Sequence, residues 1–340
     1  MIKKVKVEDA PGMILAHDLT RIKRGEFKGA AFRKGHVVTQ ADIPKLLKIG
    51  KRYLYALELS DDQLHENDAA RRIAGAISHP DLQFSEPVEG KISIIAKQAG
   101  VLKINVDALL QINMMHKIIV ATLKNNFPCR TGEIVAATRI IPLIIETERI
   151  EYLEKLASQH APIISVKPYR ALKVGAVVTG SEVFNGLITD EFEPSIGRKI
   201  ADAECSLVKK ITVPDDESRI SGAVLELKEL GCDLIITTGG LSVDPDDVTR
   251  QGVLKAGAEE IFYGSPVLPG AMLMISKLED VDIVSLPACV FYYKNTVFDL
   301  VFPRVLAGEI ITKEDIASMG HGGLCMNCEV CHYPVCFFGR

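Results

Sequence analysis

Two glycine turns, a run of acids and a knot of cysteines are the parts of this sequence that could do chemistry. Thr179-Gly180-Ser181-Glu182 and Thr237-Thr238-Gly239-Gly240-Leu241-Ser242 each close an apolar run. Glycine lets a backbone approach a ligand and turn N–H groups toward it, which suits phosphate or a flat heterocycle. Either turn alone is an ordinary strand-to-helix connection; two on strands of one sheet point to a ligand. Val243-Asp244-Pro245-Asp246-Asp247 follows the second turn. Asp244 before Pro245 reads as a helix N-cap with proline at the first helical position, and Asp246 complements the helix dipole. Asp247 is the carboxylate that could hold Mg²⁺ against a phosphate, because Mg²⁺ takes one or two carboxylates plus ligand oxygens.

Cys325, Cys328, Cys331 and Cys336 follow the spacing C-x₂-C-x₂-C-x₄-C. Four thiolates this close can surround one Zn²⁺ or hold the corners of an iron–sulfur cluster. Zinc sites usually separate two C-x₂-C knuckles by a longer insert, so the compact run is nearer the cluster pattern. Ferredoxins, however, place a proline after the last cysteine, and here Pro334 precedes it. A redox-labile tail without metal is the bland alternative. His321 and His332 read as solvated loop histidines, and Cys129, Cys205, Cys232 and Cys289 as small buried thiols. Glu8 and Asp9 interrupt the basic start, so no secretion signal is expected. A cytoplasmic chain follows, in which clustered cysteines favour metal over disulfides.

From residue 171 onward, apolar runs and amphipathic stretches alternate: strands at 173–179, 211–213, 233–238, 260–263, 271–275 and 283–286. Helices are expected at 195–210, 217–230, 248–256 and 291–306. That order predicts a three-layer α/β domain with a largely parallel sheet, and ligands in such sheets sit beyond the carboxyl ends of the strands. Upstream, 1–60 reads as a small β-rich unit with turns at Gly12, Gly25, Gly29 and Gly35 and one helix capped by Thr39. Residues 61–165 read as an α+β accessory domain ending in a linking helix over 146–159. His65-Glu66-Asn67-Asp68 reads as a solvated helix face. The domains expected are therefore 1–60, 61–165, 166–310 and a cysteine-rich tail, 311–340, on which the α/β core should not depend.

With 340 residues, 47% apolar and 25% charged, the chain is long enough for more than one core and is not globally disordered. A net charge of −4 gives no reason to expect nucleic acid or an anionic membrane. No apolar stretch is long enough for a membrane span.

The run Thr237-Thr238-Gly239-Gly240-Leu241-Ser242-Val243-Asp244-Pro245-Asp246-Asp247-Val248-Thr249 resembles the signature loop of the molybdopterin-binding family. That family comprises molybdopterin adenylyltransferases, molybdopterin molybdenumtransferases and the competence-inducible proteins that share their fold. Val178 to Glu182 resembles the family's first loop, and Asp190 falls at its Asp-Ser-Asn element, where this chain reads Asp190-Glu191-Phe192. Leu268-Pro269-Gly270 and Leu286-Pro287-Ala288 resemble its two proline loops, with Ala288 in place of a glycine. Residues 9–19 are similar to the opening of molybdenumtransferases, whose usual terminal β-barrel is replaced here by the cysteine run.

The resemblance implies that Thr179, Gly180, Ser181, Glu182, Thr238, Gly239, Gly240, Ser242, Pro269, Gly270 and Pro287 hold molybdopterin. It also implies that Asp247 with Asp190 positions Mg²⁺ catalytically. The leading expectation is insertion of molybdate into adenylylated molybdopterin, by a homodimer that serves a molybdoenzyme acceptor. Two alternatives stand beside it: a non-catalytic molybdopterin carrier or sensor, and a nucleotide pyrophosphatase of the competence-inducible type.

Overall fold

In a computed structural model, which describes residues 2–23 and 27–339, the chain divides into two compact units, 1–166 and 167–340. Gly25, one of the expected turns, lies outside the described residues.

The second unit is built on six strands: β1 (Lys173–Thr179), β2 (Ser206–Val213), β3 (Leu234–Thr238), β4 (Glu259–Tyr263), β5 (Met274–Leu278) and β6 (Val281–Leu286). Their spatial order is β2-β1-β3-β6-β5-β4. The first four run parallel, and β5 and β4 close the sheet as antiparallel neighbours. Every residue of β3 is buried, as expected for a central strand covered on both faces. Alternate residues serve opposite cores. Val174, Ala176 and Val178 join Leu234 and Ile236 on one face, while Val177 joins Ile235 and Ile283 on the other.

The helices are α1 (Ser181–Phe184), α2 (Arg198–Asp202), α3 (Glu217–Glu229), α4 (Thr249–Lys255), α5 (Val297–Leu306) and α6 (Lys313–Ser318). α3 starts where the Asp216 carboxylate accepts from the Arg219 amide at 2.8 Å, and it buries Ile220, Val224 and Leu227 against the sheet. Each such side chain contributes about 1.5–3 kcal/mol. α2 and α5 cover one face, and α3 and α4 the other. This is the three-layer α/β architecture expected. From β1 the chain steps outward to β2, then crosses through α3 to β3 on the other side of β1, so the topological switch lies between β1 and β3. Both glycine turns leave the sheet there.

Several local expectations are corrected. The helix expected over 195–210 stops at Asp202, and 206–213 is edge strand β2, whose half-exposed residues show no clear period. The last long helix begins at Val297, where Thr296 and Asp299 form a capping box. The tail also differs from the freely dispensable segment expected. Ile316 and Phe338 are buried in the α5 core, with Tyr333, Cys325 and Cys336 packed against them. Buried Arg304 pairs with Glu309 at 2.7 Å and with Asp315 of α6 at 2.8 Å. The tail therefore belongs to this core.

The first unit holds two separate cores. The small N-terminal one gathers Val7, Leu15, Leu46 and Leu54, and its short helix, Ile43–Lys48, follows a capping box of Thr39 and Asp42. Gly29, expected in a turn, is instead paired with Arg21 in the hairpin of Leu19–Lys23 and Phe27–Phe32. The larger core joins the helix Glu66–Ile77 to a four-stranded sheet, and Ile150 and Leu153 of Thr147–Gln159 are buried in it. That helix is thus part of the core rather than a linker. His65 and Glu66, expected on a solvated face, are also buried. His65 Nε2 bonds the Gly35 carbonyl at 2.7 Å, and burial raises the Glu66 carboxyl above its ordinary pKa. Among the described residues no helix is long and apolar enough to cross a membrane.

Candidate functional site

The two glycine turns meet. Thr179, the last residue of β1, donates its hydroxyl to the Thr238 carbonyl at 3.0 Å and shares a 2.9 Å hydrogen bond with the Thr249 hydroxyl at the start of α4. Gly239 and Gly240 both have positive φ, +89° and +58°. A Cβ on Gly239 would lie 2.7 Å from the Thr179 carbonyl oxygen, and one on Gly240 would collide with the Thr249 hydroxyl. Glycine is required here by the approach of one loop to the other.

Beyond these turns opens a cavity of about 760 Å³, within the range of roughly 300–1,000 Å³ that holds small ligands. Thr179, Gly180, Ser181 and Glu182 line it from the first turn, and Gly239, Gly240, Ser242 and Asp247 from the second. Asp190 reaches it from the segment after α1. The other expected residues lie elsewhere. Thr238 is buried beneath the turn, with its hydroxyl oxygen lacking a hydrogen-bond partner. Pro269 and Gly270 are outside the lining: the Pro269 carbonyl accepts from the Val297 amide at 3.1 Å, and a Cβ on Gly270 would strike Val297. That loop shapes the start of α5. Pro287 too is outside the lining, although its neighbour Ala288 is part of it.

Acids dominate the walls. Glu182, Asp190, Glu191, Asp215, Asp244, Asp246 and Asp247 all contribute. Asp215 was missed from sequence; it follows β2, and its carboxylate accepts from the Ser181 amide at 2.8 Å. Its place just past a strand's carboxyl end was the available signal. Asp247 likewise accepts from the Ser242 amide at 2.9 Å. Asp244 does not cap the helix as expected, because α4 begins only at Thr249; its carboxylate accepts from the Asp246 amide at 3.2 Å and tightens the turn. Lys210 pairs with Asp190 at 2.8 Å and with Glu193 at 3.3 Å. Burial opposes its charge, but these two carboxylates outweigh burial and raise its pKa. Phe291 and exposed Tyr292 add aromatic rings to the lining, which sequence reasoning also missed.

Residues 175–307 match the family described as "Probable molybdopterin binding domain". Residues 4–58 match a family described as a domain of unknown function. Among curated relatives, a CinA-like protein of Geobacter metallireducens is 36% identical over 97 residues, 28% of this chain and 23% of that protein. A molybdopterin molybdenumtransferase of Haemophilus influenzae is 29% identical over 150 residues, 42% of this chain and 37% of that protein. The chain thus spans well under two thirds of the length of either relative. Among solved structures, a molybdopterin biosynthesis MoeA protein of Pyrococcus horikosii aligns over 91% of this chain and 75% of its own, at 13% identity and a TM-score of 0.35. All nine residues named above from the two turns and Asp190 lie within the matched molybdopterin-binding segment.

The four tail cysteines are free thiols that line a second, smaller cavity of about 60 Å³. Among the described residues no three His, Cys, Asp or Glu side chains are arranged to hold a single metal ion.

Proposed function

We propose that the acid-lined cavity binds a molybdopterin phosphate through Mg²⁺, and that the protein inserts molybdate into adenylylated molybdopterin. One observation carries this reading: both glycine turns, Asp247 and Asp190 line a single ligand-sized cavity at the switch between β1 and β3, within the segment that matches a molybdopterin-binding family.

The walls set a physical condition on any phosphate that enters. At about 4 Å one carboxylate repels one negative charge by roughly 4 kcal/mol at an effective dielectric near 20, and several line this space. An anionic ligand needs a cation between itself and the wall. Carboxylates and phosphate oxygens are the ligands of Mg²⁺, a hard ion; Asp247 would be its protein ligand, joined by Asp190 on exchange of its 2.8 Å pair with Lys210. When bound, Mg²⁺ offsets charge on the phosphate. The chain's own residues supply the rest: the glycine turns let the ligand approach the backbone closely, and Phe291 and Tyr292 offer faces for a pterin ring. The resemblance of the second turn extends the reading to a homodimer that delivers to a molybdoenzyme.

A second reading, a nucleotide pyrophosphatase of the competence-inducible type, is favoured by the identity with the CinA-like protein. Incubation with adenylylated molybdopterin, Mg²⁺ and molybdate separates them. Release of AMP supports insertion, binding without turnover makes the protein a carrier or sensor, and activity confined to other pyrophosphates supports the second reading.

A further inference from the structure

We infer that Cys325, Cys328, Cys331 and Cys336 hold a four-iron–four-sulfur cluster in the small cavity they line. The inference rests on the tail alone and stands whether or not the larger cavity takes a pterin.

All four cysteines line one space, although they are spread over a loop without helix or strand. That loop is tied to the α/β core at both ends. At the near end the Leu268 amide donates to the Gly323 carbonyl and the Cys325 amide to the Leu268 carbonyl, each at 2.8 Å. At the far end the Tyr333 hydroxyl donates to the Asp299 carbonyl at 2.8 Å, and Phe338 is buried. The core therefore fixes the two ends of the loop, and the four cysteines between them line one cavity.

Volume discriminates between the two metal chemistries. One Zn²⁺ draws four sulfurs to about 2.3 Å from a single point and leaves no room inside them. Here no three of the four are arranged to hold a single ion among the described residues, yet all four line one cavity of about 60 Å³, several times the roughly 10–15 Å³ that one water-sized body needs. A cluster fills such a space, because each thiolate meets a different iron. The spacing C-x₂-C-x₂-C is that of three cluster ligands in ferredoxin runs, and Cys336, which lines the same cavity, supplies the fourth. Two further features agree. The wall also carries aromatic side chains, with Tyr333 and Phe338 packed into the core on its inner side. The Asn295 side-chain amide donates to Cys331 Sγ at 2.7 Å, the kind of N–H to sulfur bond that tunes cluster potentials. On binding, each thiol gives up its proton and its sulfur bonds one iron.

The cluster cavity adjoins the acid-lined one through a single segment. Ala288, Phe291 and Tyr292 face the larger space, while Lys294 and Asn295 face the smaller.

The test is anaerobic reconstitution of the full-length protein with ferrous and ferric iron and sulfide, with Zn²⁺ offered in competition. About four iron and four sulfide per chain, broad visible absorption and a paramagnetic signal on reduction are expected. The double variant Cys328→Ser/Cys331→Ser alters two exposed positions and should keep the parent's far-ultraviolet dichroism while losing absorption and signal. Uptake of one zinc with no iron, four thiols that still titrate freely after reconstitution, or a double variant that retains its iron would each overturn the inference.

Discussion

The hydroxyls of Thr179 and Thr249 lie 2.9 Å apart, so the end of β1 and the start of α4 are joined directly against the second glycine turn. Both side chains are buried, and Thr179 also donates to the Thr238 carbonyl. In this chain Thr249 must then donate to Thr179, and the pair sets how closely the two glycine turns approach.

Gly239→Ala tests that closeness. The new methyl would meet the Thr179 carbonyl at 2.7 Å in a backbone of positive φ, so a loss of about 1–3 kcal/mol is expected. Thr249→Val keeps the shape and removes one buried hydrogen bond, for a loss of about 1 kcal/mol. Urea unfolding reads both. If Gly239→Ala is as stable as the parent, the turn is loose and its glycine serves the ligand alone.

Asp247→Ala should abolish Mg²⁺-dependent turnover. Asp247 is half-exposed, and its carboxylate accepts from the amide of exposed Ser242, so its removal should cost less than about 1 kcal/mol of stability. Pterin affinity measured without Mg²⁺ should rise rather than fall, because the carboxylate then repels the phosphate and its removal relieves that repulsion. Turnover equal to the parent's would remove Asp247 from the catalytic role.

Phe338→Ala addresses the tail as a structural part of the α5 core. Its ring is 5% exposed and lies against Tyr333, with ring centres 6.1 Å apart. Truncating a buried phenylalanine costs about 3–5 kcal/mol. Deleting residues 317–340 should lower the unfolding midpoint of the α/β unit further, since Gly323, Cys325 and Tyr333 also bond the core. An unchanged transition in both variants would return the tail to the dispensable appendage that the sequence suggested.

What the sequence disclosed follows from burial. β1 and β3 are covered on both faces, so they read as unbroken apolar runs, and the glycines that end them marked the site. Edge strand β2 has mostly exposed or half-exposed residues, so its run from Ser206 was absorbed into a helix, and Asp215 beyond it went unnoticed. His65 and Glu66 look like surface residues because their partners lie far away in sequence: the Gly35 carbonyl bonds His65, and Gly35 and Gly90 pack against the Glu66 carboxylate. The tail misled for the same reason. Phe338 and Tyr333 have no local periodicity, and the helix that covers them lies more than thirty residues upstream. Pro269 and Gly270 resembled a ligand loop, yet their partner is Val297.

Asn295 provides a graded test of the cluster. Its amide donates to Cys331 Sγ at 2.7 Å, and a donor to a cluster thiolate stabilises the more negative, reduced state. Asn295→Ala should keep the iron and sulfide content but shift the reduction potential to a more negative value. Asn295→Asp should shift it further, because a carboxylate beside the sulfur disfavours the added electron. The side chain is half-buried and the capping of α5 depends on Thr296 and Asp299, so thermal unfolding of the metal-free forms should hardly change. The expected order of potentials, measured by anaerobic redox titration of the paramagnetic signal, is parent, then Ala, then Asp. Three equal potentials on intact clusters would show that Asn295 does not reach the metal centre, and loss of the cluster in Asn295→Ala would make the residue part of its binding shell instead.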